Sequence, residues 1–184
     1  MIERLCIVGV GLIGGSLARA LREANAVREI VGASRDAEHL QRAVDLGVID
    51  RYDTDIATAV QGADMVFLSV PLGAMRRVLE LIKGSLADAA VVTDGGSAKG
   101  CVVTDVEAVW GEVPAWFVPG HPIAGTERSG VEASFAELYQ GKRVILTPTP
   151  STAADALQRV READSFRSLA LAFKRVRNIT EGQP

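Results

Sequence analysis

A short apolar run near the amino terminus leads into Gly9-Val10-Gly11-Leu12-Ile13-Gly14, and a helical pattern follows at once. No other feature narrows the possible folds as much. A G-x-G-x-x-G run carries meaning only where it joins a strand to a helix inside a β-α-β unit. Here Leu5 to Gly9 reads as the strand and Ile13 to Glu23 as the helix. In that setting Gly9 permits the tight turn, Gly11 lets a pyrophosphate approach the backbone, and Gly14 lets the helix pack close to the strand. Unpaired amides and the dipole at the helix start favour phosphate charge. Gly9, Gly11, Leu12, Ile13 and Gly14 are therefore expected to hold a nicotinamide dinucleotide. The competing reading is a glycine turn with no ligand.

Short Val- and Ile-rich runs then alternate with amphipathic stretches, the pattern of a parallel sheet covered on both faces. Expected strands are Glu29 to Ser34, Met65 to Val70, Ala90 to Thr93, Ala115 to Val118 and Val144 to Thr147. Pro71 halts the second of these, having no N–H to donate. Expected helices are Ala37 to Leu46, Thr54 to Val60, Gly73 to Ile82, Ala98 to Trp110 and Ala153 to Ala163, the last with Ser151 or Thr152 as N-cap. The fold class is α/β, a Rossmann-type doubly wound and mostly parallel sheet. Residues 1–150 are expected to form the dinucleotide-binding domain and residues 151–184 a C-terminal helix and tail. Phe166, Leu169, Leu171 and Phe173 keep some apolar spacing in a stretch that turns basic and reads as a frayed terminus, too short for a second domain.

Twenty basic and 23 acidic residues leave a net charge of −3 spread along the chain, so neither nucleic acid nor an anionic membrane is an expected partner. No apolar segment reaches the length of a bilayer span, and the start does not resemble a secretory leader, so a cytoplasmic protein is expected. Cys6 and Cys101 lie in apolar surroundings without ligand spacing and read as small buried residues in a reducing compartment; no metal site is expected.

Choice between the two nicotinamide dinucleotides is made at the end of the second strand. That end reads Gly32-Ala33-Ser34-Arg35-Asp36, where Ser34 and Arg35 can clasp a 2′-phosphate and Asp36 falls late for the ribose. The expected cofactor is NAD(P), with a lean to NADP; Arg35 stacking on adenine or lying in solvent is the alternative. Ligands of an open parallel sheet sit outside the carboxyl ends of its strands. The segments there are Ser69-Val70-Pro71, Asp94-Gly95-Gly96-Ser97-Ala98-Lys99 and Gly120-His121-Pro122-Ile123-Ala124-Gly125-Thr126-Glu127. A sheet that only packs has no need of a histidine between glycine and proline at such a point.

In Gly9 to Leu17, Asp94 to Lys99 and Gly120 to Glu127, in that order and approximate spacing, the sequence resembles the prephenate and arogenate dehydrogenases of tyrosine biosynthesis. The resemblance covers about residues 1–150. It implies an NAD(P)-dependent oxidative decarboxylation, in which hydride leaves the hydroxyl-bearing ring carbon while carbon dioxide departs and the ring aromatises. It further implies that His121 accepts the ring-hydroxyl proton, a task for which imidazole is well matched near neutral pH. Ser97 would hydrogen-bond the reacting hydroxyl or orient the imidazole. Thr126 and Glu127 would line the substrate side, and Ser69, Val70 and Pro71 the cofactor side.

On the residues alone, other roles stay open. His121 can pin a loop, Ser97 can be the N-cap of the helix near Ala98, and Lys99 can be a solvated first-turn residue. His39 lies on an expected outer helix face and reads as a surface residue. Family members continue into a helical domain that pairs subunits and supplies an arginine for the substrate carboxylate, and this chain ends before such a domain. The homodimer and the substrate capture expected of the family are accordingly in question. A truncated gene product and a half-site completed by another chain are the alternatives at that point. The competing function is a non-catalytic dinucleotide-binding module or remnant. A β-hydroxyacid dehydrogenase shares the glycine-rich opening, but the Gly120 to Glu127 stretch argues against it.

Overall fold

The computed structural model describes residues 1–165; the spacing of Phe166, Leu169, Leu171 and Phe173 lies outside the described residues. Six strands, β1 (Ile2–Val8), β2 (Val27–Ala33), β3 (Arg51–Asp53), β4 (Met65–Leu68), β5 (Val91–Asp94) and β6 (Phe117–Val118), pair in parallel in the order β3-β2-β1-β4-β5-β6. This is the Rossmann order, and it reverses direction between β1 and β4. At that point Ser69 N–H donates to the Val8 carbonyl at 2.8 Å, which sets the end of β4 beside the glycine-rich turn.

Helices α1 (Leu12–Glu23), α2 (Ala37–Asp45) and α6 (Ala154–Ser165) contribute to the apolar core on one face of the sheet. Those on the other face are α3 (Ile56–Ala59), α4 (Leu72–Ile82) and α5 (Lys99–Trp110). Their buried residues follow the helical period: Met75, Val78, Leu79 and Ile82 on α4, and Val102, Val106 and Val109 on α5. Gly111 ends α5 at φ +85°, a left-handed cap. Asp36 and Asp55 open α2 and α3 by accepting the His39 and Ala57 N–H groups at 3.0 Å.

Several expectations need correction. Val144 to Thr147 does not join the parallel sheet. Val144–Leu146 (β8) pairs antiparallel with Gly120–Pro122 (β7), so the His121 segment is itself a strand. The segment Arg51–Asp53, where no element was expected, is the edge strand of the main sheet. Ser151 and Thr152 donate their hydroxyls to the Val113 and Phe117 carbonyls, tying the entry of α6 to the sheet. Cys101 is exposed, because the buried stripe of α5 passes through Val102 and its neighbours one turn on; Cys6 is buried, and burial pushes its thiol up to about 12.

Candidate active site

The glycine-rich turn shows three different uses of glycine. Gly9 sits at φ +93°, and a Cβ there would lie 2.4 Å from the Ser69 carbonyl oxygen. A Cβ on Gly14 would lie 2.5 Å from the Gly9 carbonyl oxygen and 2.8 Å from Ile7 Cγ2. At Gly11 the same atom would meet nothing within 4 Å, so the space over the turn is open. Gly11 is also the N-cap of α1, with no side chain bonded over the first amides and no acidic residue in the first turn. Open amides at the positive end of a helix dipole, with room above them, fit a pyrophosphate.

The sheet edge continues on both sides of this turn. A groove of about 630 Å³ runs past Gly9, Ser34, Arg35, Ser69 and Arg77, and one of about 310 Å³ past Gly11, Leu12, Ile13, Gly95 and Arg128. Val70 and Pro71 border both. Asp36 Oδ1 accepts the His39 N–H in the α2 cap, and the Ser34 hydroxyl accepts the Asp36 N–H at 3.2 Å. Arg35 is exposed at the rim.

His39 is not the surface residue that its helix position suggested. Its Nε2–H donates to the Val10 carbonyl at 2.8 Å, bracing the glycine-rich turn from α2. The signal was absent from the sequence pattern because the partner is a backbone oxygen 29 residues away.

At the end of β5, Asp94 has no exposed side-chain surface, and its partner Lys99 is 14% exposed. Lys99 is therefore not a solvated first-turn residue. Burial pushes the Asp94 carboxyl up and the Lys99 ammonium down, and each opposes the other's shift. Asp94 Oδ1 accepts the Gly120 N–H at 3.1 Å, which brings β7 against β5. Side chains alternate along a strand, and Gly120 and Pro122 line a small apolar cavity with Leu17 and Phe67. His121, between them, is turned to the other face. Burial holds its imidazole below the ordinary range, and Lys99 adds to that while Asp94 opposes it. Ser97 is exposed and is not a helix cap, since α5 takes Ala98 as its N-cap without a side-chain bond. Thr126 and Glu127 are exposed, border neither groove, and among the described residues Thr126 Oγ1 accepts only the Arg128 N–H.

Residues 17–165 match the family model for the nucleotide-binding domain of prephenate dehydrogenase. The chain belongs to the prephenate dehydrogenase family. It is 37% identical over 158 residues to the cyclohexadienyl dehydrogenase of Zymomonas mobilis, covering 84% of this chain and 52% of that one. Among solved structures it is similar to the prephenate dehydrogenase from A. aeolicus in complex with hydroxyphenyl propionate and NAD+ (39% identity, TM-score 0.84, 98% of this chain and 60% of that chain). It is also similar to Synechocystis arogenate dehydrogenase (29%, TM-score 0.83, 96% and 60%). The chain spans about half the length of the curated relatives it matches. Among the described residues no helix is long and apolar enough to cross a membrane.

Proposed function

We propose that this chain is the dinucleotide-binding part of an NAD(P)-dependent prephenate or arogenate dehydrogenase of tyrosine biosynthesis, with residues 1–150 as the cofactor domain. The observation that carries the reading is a single sheet edge that has an open glycine-rich turn on β1 and, beyond β4, a part-buried histidine held beside β5. When bound, the nicotinamide supplies the acceptor for hydride. His121 takes the ring-hydroxyl proton, and its depressed basicity keeps it neutral and ready to do so at neutral pH. Ser97, free of a capping role, hydrogen-bonds the same hydroxyl or the imidazole. Thr126 and Glu127 lie on the substrate side. Arg35 and Ser34 favour NADP over NAD, because both border the groove beside the glycine-rich turn and Asp36 does not.

Absorbance at 340 nm tests the reading. The chain, alone or supplied with the helical domain of a relative, is expected to reduce a dinucleotide with prephenate or arogenate. Dinucleotide binding without reduction in either preparation would make it a binding module instead.

A further inference from the structure

The Asp94–Lys99 pair does more than neutralise itself. Asp94 Oδ1 accepts the Gly120 N–H at 3.1 Å, and Oδ2 accepts the Gly96 N–H at 2.9 Å. The Lys99 ammonium donates both to Asp94 Oδ2 and to the Gly120 carbonyl. Both backbone groups of Gly120 are thus held by one ion pair, at the residue before His121. The fit leaves no slack, since a Cβ on Gly120 would lie 2.8 Å from the Asp94 carbonyl oxygen and 3.1 Å from Thr93 Oγ1. Two charges taken out of water stabilise a fold little better than apolar residues of the same volume, so stability alone is a poor reason for this pair.

We propose that Lys99 is a positioning residue for His121: with Asp94 it clamps Gly120, fixes the start of β7, and so sets the place and surroundings of the imidazole. The proposal rests on the reading of His121 as the proton acceptor. The elements in most extensive contact with β7 are β8, which sets Ile145 opposite His121 and has no titratable residue, and β5, which contributes Asp94. The first residue of α5 contributes Lys99. Of the charges acting on the ring, Lys99 pushes its basicity down and Asp94 pulls it up.

The chain has two histidines, so an NMR titration reads His121 with His39 as an internal reference. Lys99→Met is expected to raise the His121 midpoint, and Asp94→Asn to lower it further. A merely structural role would loosen the segment and let water reach the ring, which raises the midpoint in both variants. A common rise, or no shift in either, overturns the proposal. Each single variant strands a buried charge. If Lys99→Met fails to fold, the fall in Asp94→Asn decides alone; if Asp94→Asn fails to fold, the Asp94→Asn/Lys99→Met chain is expected to titrate below Lys99→Met, and a midpoint level with it or higher, as loosening would give, overturns the proposal. The titration needs no substrate. Full turnover in a His121→Asn chain would end the proton-acceptor reading while leaving the titration result standing.

Discussion

At the amino ends of the strands Arg4 and Arg51 both pair with Glu29, forming a ladder across β1, β2 and β3, and Asp64 accepts the N–H groups of Glu3 and Arg4. At the carboxyl ends of the same sheet Arg35 is exposed, Ser97 caps nothing, and the first amides of α1 have no side chain over them. Polar groups at the first end are partnered within the fold. Those at the second are left for something else, or, like Asp94 and Lys99, hold a neighbour that is. The position of a residue along its strand should therefore foretell whether its loss is felt in stability or in ligand handling.

The largest effect is expected at the carboxyl end. His121→Asn should lower kcat by about 10² to 10⁴, the usual worth of general acid–base help, and leave dinucleotide affinity as it was. If His121 takes the proton as proposed, wild-type activity should rise with pH through a midpoint below the ordinary imidazole value of about 6.5, since burial and Lys99 favour the neutral ring. A midpoint above that value would break the assignment. Next comes Arg35→Ala, which removes a charge-assisted bond worth about 1.5–3 kcal/mol and should weaken NADP selectively by at least ~10-fold. Equal weakening of both dinucleotides in a titration would mean that Arg35 stacks on adenine.

The smallest effect belongs to the amino end. Glu29→Gln should cost at most about 1 kcal/mol, because its partners are partly exposed, and should leave cofactor binding unchanged. Arg51 and then Arg4 hold the Glu29 carboxyl below its usual range. Its contribution is thus present at neutral pH and fades as pH falls through the lowered folded value, so wild-type and variant melting temperatures should converge in acid. Loss of dinucleotide affinity in this variant would erase the contrast between the two ends.

Long periodic elements could be read directly from the chain. The stripe Met75, Val78, Leu79, Ile82 and the glycine spacing at residues 9–14 are local patterns, and they declare a helix and a strand-to-helix turn by themselves. What escaped depends on distant partners. β7 has three residues, two of them glycine and proline, and exists because β8 lies across from it. His39 was misread, and the role of Lys99 left open, because each ends on a backbone carbonyl in another element, Val10 and Gly120 respectively. Cys101 was misjudged for a different reason: its neighbours in sequence are apolar, but burial on a helix follows the period, not the neighbours.

Calorimetric titration of each dinucleotide into wild type and Gly11→Val tests most directly whether the carboxyl end is built for a ligand. A side chain at Gly11 meets no protein atom within 4 Å, whereas one at Gly14 would lie 2.5 Å from the Gly9 carbonyl oxygen. Gly11→Val should therefore melt like wild type and lose the binding heat, while Gly14→Val should fail to fold. A folded Gly11→Val chain that binds either dinucleotide as wild type does would contradict the account.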